Sequence, residues 1–241
     1  MTSLPIIGTA GWSIPAAARD AFPPGESALS RYAARFAGVE INSSFHRRHR
    51  PATWTSWAES VPAAFRFTVK LPKEISHQRK LVACDDLLAS FLAEIAGLGE
   101  KLATLLLQLP PKLDYEPTIA VPFLSLLTRS TAARIACEPR HPSWFGTEAD
   151  RMMADLGIAR VAADPAPVAA AAEPGGCPHL RYWRLHGSPV MYRSAYGSDR
   201  LEPYAARMRA EVGAARTVWC MFDNTASSAA AKDALILRGM I

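Results

Sequence analysis

Apolar residues recur along the chain in two alternating rhythms. Eight short runs read as strands: "PIIGTAGW" from Pro5, "GVEINSSF" from Gly38, "FRFTVKLP" from Phe65 and "LATLLLQLP" from Leu102, then "RIACEP" from Arg134, "IARVAADP" from Ile158, "LRYWRLHG" from Leu180 and "TVWCMFDN" from Thr217. Their starts lie 22 to 37 residues apart, room for a strand, a loop and a helix in each unit. Between them the period changes to that of a helix. Leu29, Tyr32, Ala33 and Phe36 share one helical face, and so do Leu88, Phe91, Leu92 and Ile95. Asp85 and Asp86 stand at the start of the second helix, where its dipole favours anions. "RLEPYAARMRAEVGAA" and the Ala-rich tail after Asn224 also fit helices. Residues 164–179, rich in Pro and Gly, leave room for only a short one.

Strand and helix alternating eight times, with strands apolar on both faces, predict an α/β fold: a (β/α)8 TIM-type barrel, one domain over residues 1–241. A doubly wound sheet is the main competitor. The turn after the first strand, "GTAGW", has two glycines three apart and no third, so it lacks the dinucleotide fingerprint. No linker or change of composition divides the chain.

Composition narrows the setting. Hydrophobic residues make up 49% and charged residues 20%, as in ordinary globular proteins. No apolar run reaches the roughly 20 residues that cross a bilayer, and the N-terminus carries no secretory pattern. Cys84, Cys137, Cys177 and Cys220 are far apart and form no C-x-x-C, which argues against a disulfide framework or zinc knuckle. A cytoplasmic protein with no membrane partner is the expectation. The net charge of +5 is compatible with a solvated basic surface or with an anionic partner.

Strand alternation then sorts the polar residues. Glu40 and Asn42 share one face of the second strand, Thr68 and Lys70 one face of the third, and Gln108 closes the fourth. Glu138 shares parity with Ala136 and Arg140, and Arg184 with His186. Asn224 shares parity with Cys220 and Phe222. These groups come late in their strands, at the end where barrel enzymes carry their sites. Burying an unpaired charge costs several kcal/mol even after relaxation, so this clustering needs compensation, and a polar, ligand-binding mouth is one way to supply it. The competing explanation is a polar plug in which Glu40, Glu138, Lys70, Arg140 and Arg184 satisfy one another. His141 falls on the opposite parity and is expected to brace its loop.

Two basic clusters, "HRRHR" (His46 to Arg50) and Lys73 to Lys80, should rim the same face, and "SPVMYRSAYGSD" (188–199) suits a lid or a plain loop equally well. The expectation is an enzyme acting by acid/base chemistry on a phosphorylated or otherwise anionic small molecule. Lys70, Arg140 and Arg184 would hold the anion. His186 would be acid or base, with Glu138 or Glu40 as partner. Asn42, Gln108 and Asn224 would orient neutral groups, and Trp12 would bind substrate. Lys70 as an imine-forming lysine is a further option. One alternative is a metal-dependent hydrolase or isomerase using Glu40, Glu138, Asp164 and His186, although no close-spaced ligand motif is present, and no metal or cofactor is expected. Another is a nucleic-acid-binding or nucleic-acid-processing protein, with both basic clusters on phosphates and Trp12, Trp54, Trp57 or Trp144 stacking on bases. A non-catalytic sensor of a small anion would look the same in sequence. The oligomeric state is left open.

"GTAGW", "VEINSSF", "F-x-F-x-V-K-x-P", "LLLQLPP", "E-x-R-H-x-S-W", "RLHG" and "F-x-N-T" together resemble the YecE-like family, domain of unknown function 72, from Gly8 to about Ala230. The resemblance implies a TIM-type barrel and a cytoplasmic prokaryotic protein, and brings no established reaction. The signature positions it implies are Gly11, Trp12, Glu40, Asn42, Lys70, Gln108, Glu138, Arg140, His141, Trp144, Arg184, His186, Gly187 and Asn224. The chain departs from the family at Phe45-His46, where a Phe-Tyr pair is usual. Either a role of that tyrosine is missing here, or His46 takes its place.

Overall fold

All eight predicted runs form strands in the computed structural model, which describes residues 4–241. They are β1 (Ile6–Thr9), β2 (Gly38–Ile41), β3 (Arg66–Lys70), β4 (Leu102–Gln108) and β5 (Arg134–Glu138), then a sixth run broken into β6 (Ile158–Arg160) and β7 (Ala162–Asp164). A two-residue β8 (Gly175–Gly176) precedes β9 (Leu180–Leu185) and β10 (Thr217–Phe222). Every pairing is parallel except that of β8 with β6. The helices are α1 (Ala28–Ala33), α2 (Pro51–Glu59), α3 (Asp85–Ile95), α4 (Pro117–Arg129), α5 (Thr147–Asp155), α6 (Gly197–Gly213) and α7 (Ala230–Gly239). As the acidic pair predicts, α3 begins at Asp85.

The strands follow barrel order, but their ladders form two sheets: β1-β10-β9-β7 and β2-β3-β4-β5-β6-β8. Between β1 and β2 only one bridge forms, Ala10 to Glu40, with the Gly11 N–H donating to the Glu40 carbonyl at 2.8 Å. The Tyr32 hydroxyl takes over where the ladder fails. It accepts from the Thr9 N–H at 2.8 Å and donates to the Gly38 carbonyl at 3.3 Å. Glycine at position 8 permits this approach, since a Cβ there would lie 2.3 Å from the Gly38 oxygen. The other seam is the broken sixth strand, whose halves pair with different sheets.

The one helical element in the crossover from β7 to β8 is a 3-10 turn, Ala169–Ala172, as the Pro and Gly content of the segment predicts. Arg160 ties this segment down. Its Nε lies 2.8 Å from Asp150 Oδ1, and its Nη1 donates to the carbonyls of Ala170 and Glu173.

One large buried cluster, running from Ile7 to Leu237, fills the space between strands and helices. A smaller one fills the lower lumen with Leu106, Ala136, Ala159, Val161, Leu180, Tyr182, Trp219 and Met221. The Tyr182 and Trp219 rings stack there at 6.0 Å. That inner set fixes which parity faces the lumen: Tyr182 leads up its strand to Arg184 and His186, and Trp219 and Met221 lead to Asp223. The four cysteines are buried and unbridged. No helix among the described residues is long and apolar enough to cross a membrane.

Candidate functional site

Directly above the apolar floor of the lumen lies a layer of paired charge centred on Arg184. Its Nη2 and Nε reach the two oxygens of Glu40 at 2.6 and 3.1 Å. Its Nη1 reaches Glu138 Oε2 at 2.6 Å, and Nη2 also reaches Asp223 Oδ2 at 3.0 Å. The Tyr182 hydroxyl donates to Glu40 Oε2 at 3.0 Å. Arg184, Glu40 and Glu138 have no exposed surface. A planar fork of donors suits such convergence, which a lysine could not reproduce.

His186 sits one step higher, fully buried between two carboxylates. Its Nδ1 is 3.0 Å from Asp223 Oδ2 and its Nε2 is 2.8 Å from Glu138 Oε1. Arg140 Nη2 lies 2.8 Å from the same Nε2 and 2.5 Å from Glu138 Oε1. That nitrogen therefore has two states available: protonated, it donates to Glu138; unprotonated, it accepts from Arg140. Burial alone would favour a neutral Glu138, but Arg184, Arg140 and His186 outweigh it and hold the carboxyl well below its usual range. Asp223 is treated alike: burial opposes its charge, while Arg184, the hydrogen bond from His186 and Lys70 lower its pKa. Three carboxylates thus face three cations, Arg184, Arg140 and Lys70. Charges of opposite sign meet here in equal number, as a buried ionic cluster requires.

The mouth of the lumen opens above this layer as a cleft of about 520 Å³. Asn42, Lys70, Gln108, Arg140 and Asp223 line it, with Phe45, His46, His77, Met191 and Tyr192 around them. Lys70 differs from the other cations. Its Nζ has no hydrogen-bond or ion-pair partner among the described residues and lies 4.1 Å over the Phe45 ring. Burial, reinforced by Arg184, lowers its pKa to about 8 against the opposing pull of Glu40, Glu138 and Asp223. Two further buried polar atoms at the cleft lack partners among the described residues, Arg140 Nε and Asn42 Oδ1.

The surrounding loops hold these groups in place. After β3 the chain makes a π-turn at Glu74–Gln78, followed by left-handed Lys80, Leu81 and Ala83. Irregular backbone of this kind re-aims a side chain, here His77, whose ring meets Phe45 edge-on at 4.9 Å. His46 also meets Phe45 edge-on at 4.9 Å and stands in the cleft wall. The loop after β9 covers the site. Tyr192 is edge-on to His186 at 5.7 Å, and the Tyr196 hydroxyl ties the loop to the Gly187 N–H at 3.0 Å. His141 braces its loop as expected, accepting from the Ser143 N–H and capping the turn Pro142–Phe145.

Several expected site residues fall elsewhere. Asn224 faces the helix layer, donating to the Ser194 carbonyl at 3.0 Å and to Asp233 at 2.7 Å. Its neighbour Asp223 carries the lumen parity, because Trp219 and Met221, rather than Cys220 and Phe222, point inward. Arg184 cannot hold a substrate anion, since carboxylates already occupy its fork. Its pairing with Glu40 and Glu138 is the plug alternative realised for part of the set. His186, Glu138 and Glu40 are not among the cleft residues; of the groups that are, Asp223 and Arg140 contact His186, and Arg140 contacts Glu138. Trp12 packs edge-on against Trp57 at 5.0 Å and is not among the cleft residues.

The alternatives lose some of their parts as well. Trp54 and Trp144 are buried and cannot stack on bases. Two residues of "HRRHR" hold α3: Arg48 and the His49 N–H bind Glu94 at 2.6 and 2.7 Å. For a metal, Arg184 fills the space between Glu40 and Glu138, and Asp164 turns toward Arg200 at 3.6 Å. No group of three or more ligating side chains suited to a metal occurs among the described residues. A second cleft of about 580 Å³, at the opposite strand ends, is mostly apolar, with the charged side chains of Arg35 and Arg238 in its lining.

A family described as "Protein of unknown function DUF72" matches residues 6–241. Over 171 residues the chain is 34% identical to the UPF0759 protein YecE of Escherichia coli K12 and 33% identical to that of Escherichia coli O157:H7. Each match covers 68% of this chain and 61% of the relative, so the chain spans under two thirds of those proteins. Among solved structures, a DUF72 family protein of Enterococcus faecalis superposes with a TM-score of 0.80 at 20% identity, covering 98% of this chain and 95% of that one. One from Thermotoga maritima gives 0.80 at 22%, covering 99% of both. At these identities the likeness concerns the fold.

Proposed function

This chain belongs to the DUF72 family, and from the geometry of its own site we propose that it is an enzyme that binds a small anionic compound against Lys70 and Arg140 and moves a proton to or from it. The observation that carries this reading is the state of Lys70: an amine with no partner among the described residues, mostly buried, at the wall of a cleft floored by paired charge. A lysine brought down to about 8 exchanges its proton near neutral pH, which an ordinary lysine does poorly. Asp223, the one carboxylate of the cluster that lines the cleft, is the natural second acid/base group. His186 and Glu138 act through it as positioning residues, holding a proton below the floor. The exposed rim cations Arg47, Lys73, Arg79 and Lys80 favour the approach of anions.

The test is a thermal-melt panel of small phosphates and carboxylates beside neutral analogues of the same size, followed by incubation of the stabilising compounds in deuterium oxide. The reading expects stabilisation by the anionic members alone and deuterium uptake that Lys70→Met abolishes. Equal stabilisation by neutral analogues, or exchange that survives Lys70→Met, overturns it.

A further inference from the structure

We infer that Lys70 is a nucleophile as well as a base, and that the substrate is a small carbonyl compound bearing an anionic group, a 2-oxo acid being the simplest example, held as an imine on Lys70 with its anion on Arg140. The inference rests on the reading of the cleft as a small-anion site and narrows its substrate class. An imine-forming amine must be unprotonated, unencumbered and shielded from bulk water, with an acid nearby to take up and return protons. Lys70 Nζ meets the first three demands. It lacks an ion-pair partner among the described residues, it is 7% exposed, and its lowered pKa leaves part of it as free amine at neutral pH. Lys101, by contrast, is held by the carbonyls of Ala58 and Val61 at 2.5 and 2.7 Å. Asp223 and His186 meet the last demand, at 3.0 Å from each other. Phe45 on one side and Tyr192 at the cover give the carbonyl a partly apolar cage.

The step balances without an oxidant or reductant. The amine nitrogen bonds to the carbonyl carbon as the carbon–oxygen π bond breaks, and the oxygen takes a proton to give a carbinolamine. A second proton lets that oxygen leave as water while the nitrogen lone pair forms the carbon–nitrogen double bond. One of the two protons comes from the nitrogen and one from the Asp223–His186 pair in its protonated form, which recovers it from water, and the product is a protonated imine. The cation is acceptable in this position because Glu40, Glu138 and Asp223 face it. Burial is the largest influence on the titration of Lys70; Arg184 acts in the same direction, those three carboxylates oppose both, and Lys70 in turn adds to the burial that lowers the pKa of His77.

Glyoxylate with cyanoborohydride tests this on the whole chain, each reduced imine being read as carboxymethyl-lysine by peptide mass spectrometry. The exposed Lys73, Lys80 and Lys112 serve as internal controls. Lys70 is expected to be labelled about tenfold faster than they are at pH 7.5, with a half-maximal rate near pH 8. Oxalate, an anion with no reactive carbonyl, should protect it. Labelling of Lys70 no faster than the controls overturns the imine. If oxalate binding then still depends on Lys70, the anion-cleft reading survives alone; if oxalate does not bind either, both fall. Lys70→Arg should keep oxalate binding and lose the selective adduct, and selective labelling elsewhere in that variant would also contradict the assignment.

Discussion

Arg184 and Glu40 meet face to face inside the lumen, two nitrogens on two oxygens at 2.6 and 3.1 Å, neither side chain touching solvent. The pair joins the two sheets, because Arg184 comes from β9 and Glu40 from β2. It therefore closes across the interior a circuit that the strand ladders leave open.

Removing the cation at its centre should be severe. Arg184→Met leaves Glu40 and Glu138 buried without their main partner, at a cost of about 3–5 kcal/mol. Arg184→Lys supplies the charge without the fork and should recover only part of that. Urea unfolding of the two variants checks the order; a loss under about 1 kcal/mol in Arg184→Met would mean that the cluster is not held by this residue.

Lys70 should reveal itself through the pH dependence of stability. Its folded pKa of about 8 lies below the ordinary value of 10.5, so between those limits the unfolded chain binds a proton that the folded chain does not. Stability from this group therefore rises as pH climbs from 8 to 10.5, and below 8 the folded state carries the full penalty, of order 3 kcal/mol. Lys70→Met should be more stable than the parent at pH 7 by about 1–3 kcal/mol, and the difference should shrink by pH 10. Unfolding midpoints at both pH values decide it, since a constant difference would place Lys70 in an ordinary aqueous setting.

Neighbours 223 and 224 should separate cleanly. Asn224→Ala removes bonds to Ser194 and Asp233 and loosens the loop that carries Tyr196, costing about 1–3 kcal/mol while leaving the affinity for small anions nearly intact. Asp223→Asn keeps the shape but removes the charge facing Lys70, Arg184 and His186. Its effect should appear in the pH profile of proton exchange rather than in the melting temperature alone. Matching phenotypes in the two variants would contradict the parity assignment.

At the open seam, Tyr32→Phe deletes the hydroxyl that serves both Thr9 and Gly38 and strands two buried backbone groups. A loss of about 1–3 kcal/mol is expected, with faster amide exchange at Thr9. Unchanged protection there would mean that the ladder between β1 and β2 does not need it.

Strand and helix order was legible because each depends on local pattern alone, down to the start of α3 at Asp85. The polar set at the strand ends was legible too, since Glu40, Lys70, Glu138, Arg184 and His186 follow from alternation. What the sequence could not supply was depth. Nothing in "RLHG" distinguishes an arginine free to hold a substrate from one already saturated by three carboxylates from other strands. Asp223 was within reach, because counting inward from Trp219 and Met221 selects it over Asn224; the error lay in choosing the wrong face of that strand as lumenal. The two seams were not legible, because ladder closure depends on how close β1 comes to β2, a property of the assembled sheets.

The most direct measurement is calorimetric titration of oxalate and, separately, inorganic phosphate into the parent protein and Lys70→Met at pH 7. The account expects at least one anion to bind the parent in one-to-one stoichiometry and about tenfold or more weaker in the variant, a difference of about 1.4 kcal/mol. Equal affinity in the two proteins, or no binding of either anion to the parent, would contradict it.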